Sequence, residues 1–239
     1  MKERVDSLLV TRGLCESREV AKRLVMAGEV FVGTQRVGKA STKISVDSDL
    51  SVREKPKFVG RGGFKLEGAL EHFGIEVTDF VCLDTGSSTG GFTDCLLQRG
   101  AARVHAVDVG TNQLVYKLRT DPRVVVKEKF NSRNLTVADL GESVDLAVLD
   151  LSFISMTKVL PAVFSVLKGT GQVVALIKPQ FELSRDEVGK GGIVREPDLR
   201  EKAVDKIRRF VEESDREWHG VIESPIQGMD GNVEFLGWF

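Results

Sequence analysis

VCLDTGSSTGGFTD, residues 81–94, runs from a short apolar segment through a glycine loop into the start of a helix. Val81–Thr85 reads as a buried strand, and Gly90-Gly91 open a helix that carries Phe92, Leu96 and Leu97. Glycines at such a turn let a ligand approach the backbone, and a helix N-terminus favours its carboxylate. The spacing is G-x-x-x-G-G and not the G-x-G-x-x-G of dinucleotide enzymes, with Asp84 two places before Gly86. An acidic residue there suits a cationic amine. An amino-acid-bearing cofactor such as S-adenosylmethionine therefore fits better than NAD. The candidate cofactor residues in this stretch are Asp84, Gly86, Ser88, Gly90, Gly91 and Phe92.

Outward from the loop, strands and helices alternate. Strands are expected at 81–85, 104–107, 124–127, 146–151, 173–177, 219–223 and 233–238. Seven strands with intervening helices predict an α/β, Rossmann-like doubly wound sheet, which binds ligands at the carboxyl ends of its strands near the topological switch point. The second strand, in RVHAVDVG, ends at Asp108, placed for a hydrogen bond to an adenosine ribose, with Val109 beside it. Phe130, Asn131 and Ser132 follow the third strand, and position alone makes Asn131 a candidate for the adenine end. Further on, VDLAVLDLSFIS ends its strand at Asp150, VVALIKPQFE ends the next at Lys178, and GNVEFLGWF opens the last with Glu234. A lysine after an apolar strand feels burial and nearby carboxylates in opposite senses, so its protonation can be tuned.

The first sixty residues differ in character. Val5, Leu8, Leu9 and Leu14 have helical spacing, and Ser17 caps a second helix, Arg18–Val25, with basic residues on its polar side. Short strands follow at 30–33, 35–38 and 49–52, with Phe31 expected in the core. Residues 1–58 hold 12 Lys or Arg against 8 Asp or Glu, while residues 59–239 hold 22 against 27. A basic head on a mildly acidic body is what binding to a phosphate backbone through one domain would need. Residues 53–63, REKPKFVGRGG, read as a linker ending where the next helix begins. The expected layout is therefore 1–58 as the head and 64–239 as the catalytic domain.

No apolar run approaches the roughly 18 residues a spanning helix needs, and the N-terminus leads into charged sequence, so a cytoplasmic monomer without membrane contact is expected. Cys15, Cys82 and Cys95 lack C-x-x-C spacing, and neither a disulfide nor a metal site is expected.

Residues 4–41, RVDSLLVTRGLCESREVAKRLVMAGEVFVGTQRVGKAS, resemble the S4 RNA-binding domain. That resemblance implies contacts to RNA phosphates from Arg18, Lys22, Arg23 and Lys39, with Arg4 and Arg61 as further candidates. The whole chain resembles the TlyA (haemolysin A) family of ribosomal RNA methyltransferases, whose catalytic domain is FtsJ-like. The likeness is carried by GRGGFKLEGAL, CLDTGSSTGGFTDCLLQRGA, LDLSFISMTKVLPA, LIKPQFE, VGKGGIVREPDLR and GNVEFL. It implies a class I methyltransferase fold and methyl transfer from S-adenosylmethionine to a ribose 2′-hydroxyl of ribosomal RNA, a cytidine in the family pattern. The partners it implies are ribosomal RNA or ribosomal subunits. The family's Lys-Asp-Lys-Glu tetrad falls on Lys65, Asp150, Lys178 and Glu234, all present. Lys178 is the candidate to orient and deprotonate the hydroxyl, the alternative being a purely positioning role with the proton leaving to water or a carboxylate.

Three rival readings make different demands. A nicotinamide-dependent oxidoreductase calls for the other glycine spacing. A non-catalytic ribosome-assembly factor would keep the basic head and lose the tetrad. A cytolysin, suggested by the family's older name, calls for a membrane-active segment, yet DLREKAVDKIRRFVEES at 198–214 reads as a sheet-packing helix with Val204, Ile207 and Val211 on one face.

Overall fold

A computed structural model describes residues 1–53 and 56–239, and the chain divides into two compact units, Met1–Lys57 and Phe58–Phe239. Glu54 and Lys55, inside the expected linker, lie outside the described residues.

The first unit contains β1 (Lys2–Arg4), helices Val5–Thr11 and Arg18–Met26, then β2 (Val30–Val32), β3 (Gln35–Arg36), β4 (Lys43–Ser45) and β5 (Leu50–Val52). Strands β3, β2 and β5 form one antiparallel sheet and β1 pairs with β4 in another. The Ser17 side chain accepts the Val20 N–H and so caps the second helix as its sequence predicts. Val5, Leu8, Leu9, Ala21, Val25, Val30 and Leu50 make the core. Leu14 is a correction: it lies beyond the first helix and is exposed. Phe31 is another, half-buried with the Arg53 guanidinium 4.7 Å from its ring centre. β1 and β4 escaped prediction because each has three residues and no apolar alternation.

The second unit is built on seven strands: β6 (Val81–Thr85), β7 (Arg103–Val107), β8 (Val124–Lys127), β9 (Val144–Leu149), β10 (Leu167–Ile177), β11 (Gly220–Glu223) and β12 (Phe235–Trp238). Their order is β11-β12-β10-β9-β6-β7-β8. The pairs from β10 to β8 are parallel, and β12 is antiparallel to both of its neighbours. All seven expected strands are present, and the boundaries shift in ways that matter. β9 ends at Leu149, so Asp150 lies just past it; β7 ends at Val107, one before Asp108; Glu234 precedes β12 rather than opening it.

The buried parallel strands are nearly continuous apolar runs, as a sheet covered on both faces requires. One face packs on the helices Gly62–Phe73 and Gly91–Gln98, and the other on Leu160–Val166 and Pro197–Glu212. The last of these buries Ala203, Ile207 and Val211, with Val204 half-buried against the same core. No helix of the described residues is long and apolar enough to cross a membrane.

The glycines at 60–63 belong to this unit rather than to a linker running to residue 63. The helix starts at Gly62, the Val59 N–H donates to Asp94 at 2.9 Å, and a Cβ on Gly63 would lie 2.3 Å from the Phe58 ring. A Cβ on Gly91 would come within 3.0 Å of the Gly63 nitrogen, so two glycine pairs, 62–63 and 90–91, bring two helix starts together.

Candidate active site

Strand order reverses between β6 and β9, which lie side by side although β7 and β8 intervene in sequence. The loops that leave these two strands are therefore placed to make a crevice. The loop after β6 begins with Gly86 at φ +84°, where a Cβ would lie 2.4 Å from the Asp150 carbonyl oxygen. Only glycine lets the two loops close on each other this tightly.

A cavity of about 420 Å³ opens beside them, lined by Gly86, Ser88, Asp108, Val109, Asn131, Ser132 and, on its apolar side, Leu151, Ile154 and Val159. Asp108 is fixed from two sides. Its Oδ2 accepts the Ser88 N–H at 2.8 Å and its Oδ1 accepts the Gly110 N–H at 2.7 Å. Each carboxylate oxygen keeps a lone pair for a further donor. Asn131 caps a short turn by accepting the Arg133 N–H at 3.1 Å.

A second cavity, of about 640 Å³, shares Gly86, Ser88, Asp150, Ser152 and Phe153 with the first. Lys65, Asp150, Lys178 and Glu234 all line it, as do Gly91, Phe92 and Arg61. Four residues separated by up to 169 positions are thus brought to one hollow. Lys178, directly after β10, donates to Asp150 Oδ1 at 2.6 Å and to Ser152 Oγ at 3.0 Å. Lys65, one turn into its helix, donates to Glu234 Oε2, and both side chains are at least nine-tenths buried. Arg61 donates to the Gln227 carbonyl at 2.8 Å on the cavity rim.

Two expected cofactor residues are absent from both cavity walls. Asp84 is fully buried, and its Oδ2 accepts the Thr93 N–H at 2.9 Å and the Thr93 hydroxyl at 2.6 Å. Its Oδ2 ties the strand to the following helix and its Oδ1 has no hydrogen-bond partner among the described residues, but neither cavity reaches it, which corrects the expectation of an open carboxylate facing an amine. Gly90, at φ +99°, is pressed against Leu118 and Leu114 and serves packing. Phe130 likewise does not reach the first cavity, whereas Asn131 and Ser132 do.

Burial pushes the Asp84 carboxyl up to about 7, with the charges of Asp150 and Asp108 adding to the rise and the Thr93 bonds opposing it. In the unfolded chain this carboxyl ionises near pH 4, while the folded protein keeps its proton until about pH 7. The folded state therefore binds more protons in that window, and Asp84 makes the protein lose stability as pH rises through it. In urea titrations the unfolding free energy of the native chain, measured relative to Asp84→Asn, should fall between pH 4 and pH 7 with a slope of up to about 1.4 kcal/mol per pH unit. A difference independent of pH would contradict this.

Sequence reasoning missed several residues of the second cavity. Phe153 stands 90 % exposed, at φ +65°, with its ring 5.2 Å from that of Phe181. Asn232, buried, accepts the Val194 N–H at 3.0 Å and donates to the Gly192 carbonyl at 2.9 Å, pinning the glycine-rich 189–194 stretch to the loop before β12. Gln180 lines the cavity with a buried Oε1 that has no hydrogen-bond partner among the described residues. In LDLSFIS, a Phe in a polar loop directly after a strand was the one available signal.

Five of the six candidate RNA contacts lie in the first unit and divide into two sets. Lys22, Arg23 and Lys39 are exposed. Arg4 and Arg18 are instead engaged with the buried Asp6, Arg4 through two bonds of 2.8 and 2.9 Å and Arg18 at 3.0 Å. Those two guanidiniums hold the Asp6 carboxyl well below the usual carboxylate range. Their first task is structural, and about half of each side chain remains open to solvent.

Comparisons with known proteins agree over both units. Residues 58–239 match the model of the FtsJ-like methyltransferases and residues 3–50 that of the S4 domain. The 16S/23S rRNA (cytidine-2′-O)-methyltransferase TlyA of Mycobacterium tuberculosis is 47 % identical over 99 % of this chain and 89 % of its own length. Hemolysin A of Brachyspira hyodysenteriae is 44 % identical over 99 % of both chains. A solved structure from Streptococcus thermophilus, provisionally named a hemolysin, superposes with a TM-score of 0.76 at 47 % identity, covering 99 % of this chain and 87 % of that one.

Proposed function

Since the chain belongs to the FtsJ-like methyltransferase family, within its TlyA branch, we propose that it methylates a ribose 2′-hydroxyl of ribosomal RNA, a cytidine by analogy with its relative, using S-adenosylmethionine. The observation that carries the reading is the junction of the two cavities. A small, mixed polar and apolar hollow beside the glycine loop opens, through Gly86, Ser88 and Asp150, onto the hollow that holds both lysine–carboxylate pairs.

The residues of the first cavity suit an adenosine-bearing cofactor: Asp108 for the ribose hydroxyls, Asn131 for the base edge, and Leu151, Ile154 and Val159 for its apolar faces. When bound, such a cofactor supplies an electrophilic methyl group. Everything else is the work of side chains. A ribose hydroxyl is a poor nucleophile until it is oriented and its proton is drawn off. Lys178 uses two of its three ammonium donors on Asp150 and Ser152 and keeps one for the ribose oxygen. Asp150, in contact with that ammonium, holds it in place and is the adjacent acceptor for the departing proton. Lys65 and Glu234 contribute a closed, net-neutral pair to the wall of the same hollow. The exposed ring of Phe153 offers a face to a nucleobase, and Arg61 a charge to a phosphate at the mouth. Lys22, Arg23 and Lys39 in the first unit supply sequence-independent attraction to the RNA backbone.

The test is transfer of tritiated methyl from S-adenosylmethionine to separated small subunits, large subunits and naked ribosomal RNA. Incorporation at a single ribose whose 3′ linkage resists alkali is the expected result. Bound cofactor without incorporation in any of the three would sink the ribosomal assignment.

A further inference from the structure

Glu182 lies outside the two lysine–carboxylate pairs and is almost completely buried one turn beyond Lys178. Its Oε1 accepts the Met156 N–H at 2.8 Å and its Oε2 accepts the Ser155 hydroxyl. Lys206, reaching back from the helix Pro197–Glu212, donates to the Glu182 carbonyl at 2.6 Å and to Oε2 at 3.3 Å. A carboxylate suits this place because every neighbour is a donor: a backbone N–H, a hydroxyl and an ammonium.

What these bonds hold is the arc that follows β9. It starts at Asp150, whose N–H donates to the Thr85 carbonyl at 3.0 Å, and it passes through Ser152 and Phe153 to Met156. Phe153 sits at φ +65°, a strained conformation for a bulky residue that persists only where its flanks are fixed. The first anchor is the sheet itself, through Thr85. The second is Glu182. Because Lys178 directly precedes and Glu182 ends the same short helix, Pro179–Glu182, the arc is tied to that helix at both ends: Asp150 to Lys178, and Ser155 with Met156 to Glu182. The Phe153 and Phe181 rings meet between those ties.

We infer that Glu182 is a positioning residue of the transfer site, fixing through Ser155 and Met156 the arc that holds Asp150, Ser152 and Phe153 against Lys178. The inference rests on the methyl-transfer reading above for its functional consequence, and on geometry alone for the anchor. Reacting groups displaced by about 1 Å lose rate by orders of magnitude, so a loosened arc should appear in kcat.

The experiment uses the full chain as native protein, Glu182→Gln, Phe153→Ala and the double variant, with methyl transfer at saturating substrates and hydrogen exchange of the cofactor-free protein. Gln keeps the size of Glu but turns an N–H₂ toward Ser155 or Lys206. Glu182→Gln should lower kcat about 10- to 100-fold. The same substitution in the Phe153→Ala background should cost less than about threefold, since coupled residues are not additive. Exchange should accelerate in residues 150–157 and stay unchanged in the strands of the sheet. A kcat within about twofold of native, equal losses in both backgrounds, or acceleration across the whole unit would each overturn the inference. If the native chain methylates no RNA, the functional reading fails, and the exchange result by itself still decides whether Glu182 anchors the arc.

Discussion

Lys178→Ala is expected to abolish methyl incorporation, lowering kcat by about 10²–10⁴-fold while leaving cofactor affinity near native. The two halves of this expectation have separate physical grounds. Lys178 lines the larger cavity only and bonds none of Asp108, Asn131 or the glycine loop, so its loss reaches the smaller cavity only through the shared Asp150 and Ser152. Its ammonium is the group placed to meet a ribose oxygen, and alanine removes both the donor and the partner that orders Asp150. Calorimetric titration with S-adenosylmethionine, alongside the tritium assay, measures the two halves. A large loss of affinity with kcat retained would reverse the division of labour between the cavities. Lys178→Arg should remain nearly as impaired as Lys178→Ala, because a planar fork cannot reproduce a compact ammonium that bonds Asp150 and Ser152 and still faces the cavity.

The second large effect concerns the Lys65–Glu234 pair. Its side chains are only 10 % and 4 % exposed, and Gly228 packs so closely on Glu234 that a Cβ there would lie 2.7 Å from Oε1. Although both line the larger cavity, these small exposures leave most of each charged side chain out of reach of its water. Glu234→Ala leaves an ammonium buried without its counter-charge, and Lys65→Met does the same to the carboxylate. Each should cost about 3–5 kcal/mol of stability, because one member of a buried pair carries an uncompensated desolvation penalty. The double variant Lys65→Met/Glu234→Leu removes both charges and should regain most of that loss. It should nevertheless stay inactive, since the wall it restores is apolar where the family tetrad is ionic. Urea unfolding of the three variants, read beside methyl transfer, separates the contributions. A double variant no more stable than the singles would mean that the pair's stabilisation comes from packing rather than charge.

Much of this architecture is legible in the sequence alone, for identifiable reasons. The strands β6 to β10 are apolar runs cut by glycines and charged residues, and their C-terminal neighbours Asp108, Asp150 and Lys178 lie where the pattern puts them. The position of Glu234 was legible, although the strand begins two residues later than the apolar pattern suggests. What sequence could not convey was direction. Asp84 occupies the place expected of an amine partner, yet its side chain turns into the core toward Thr93, a choice made by the helix behind it. Arg4 and Arg18 carry the right charge for RNA, but a buried Asp6 two residues from one and twelve from the other draws them inward. Ser152, Glu182 and Asn232 were missed because their importance lies in partners 26 to 40 residues away. The i, i+4 spacing of Lys178 and Glu182 was visible, but nothing local shows that both reach the same loop.

The antiparallel strand β12 lies between β10 and β11, both of which precede it in the chain. During synthesis the ribosome releases six strands of this sheet before the one that fills its interior, and Glu234 emerges just ahead of that strand. Until β12 enters, Lys65 has no carboxylate to meet and the larger cavity lacks a wall. The basic head, complete within the first 57 residues, can fold while the sheet still waits. The head is therefore complete in the chain before the transfer site can exist, and the long-range entry of β12 is the step that completes that site.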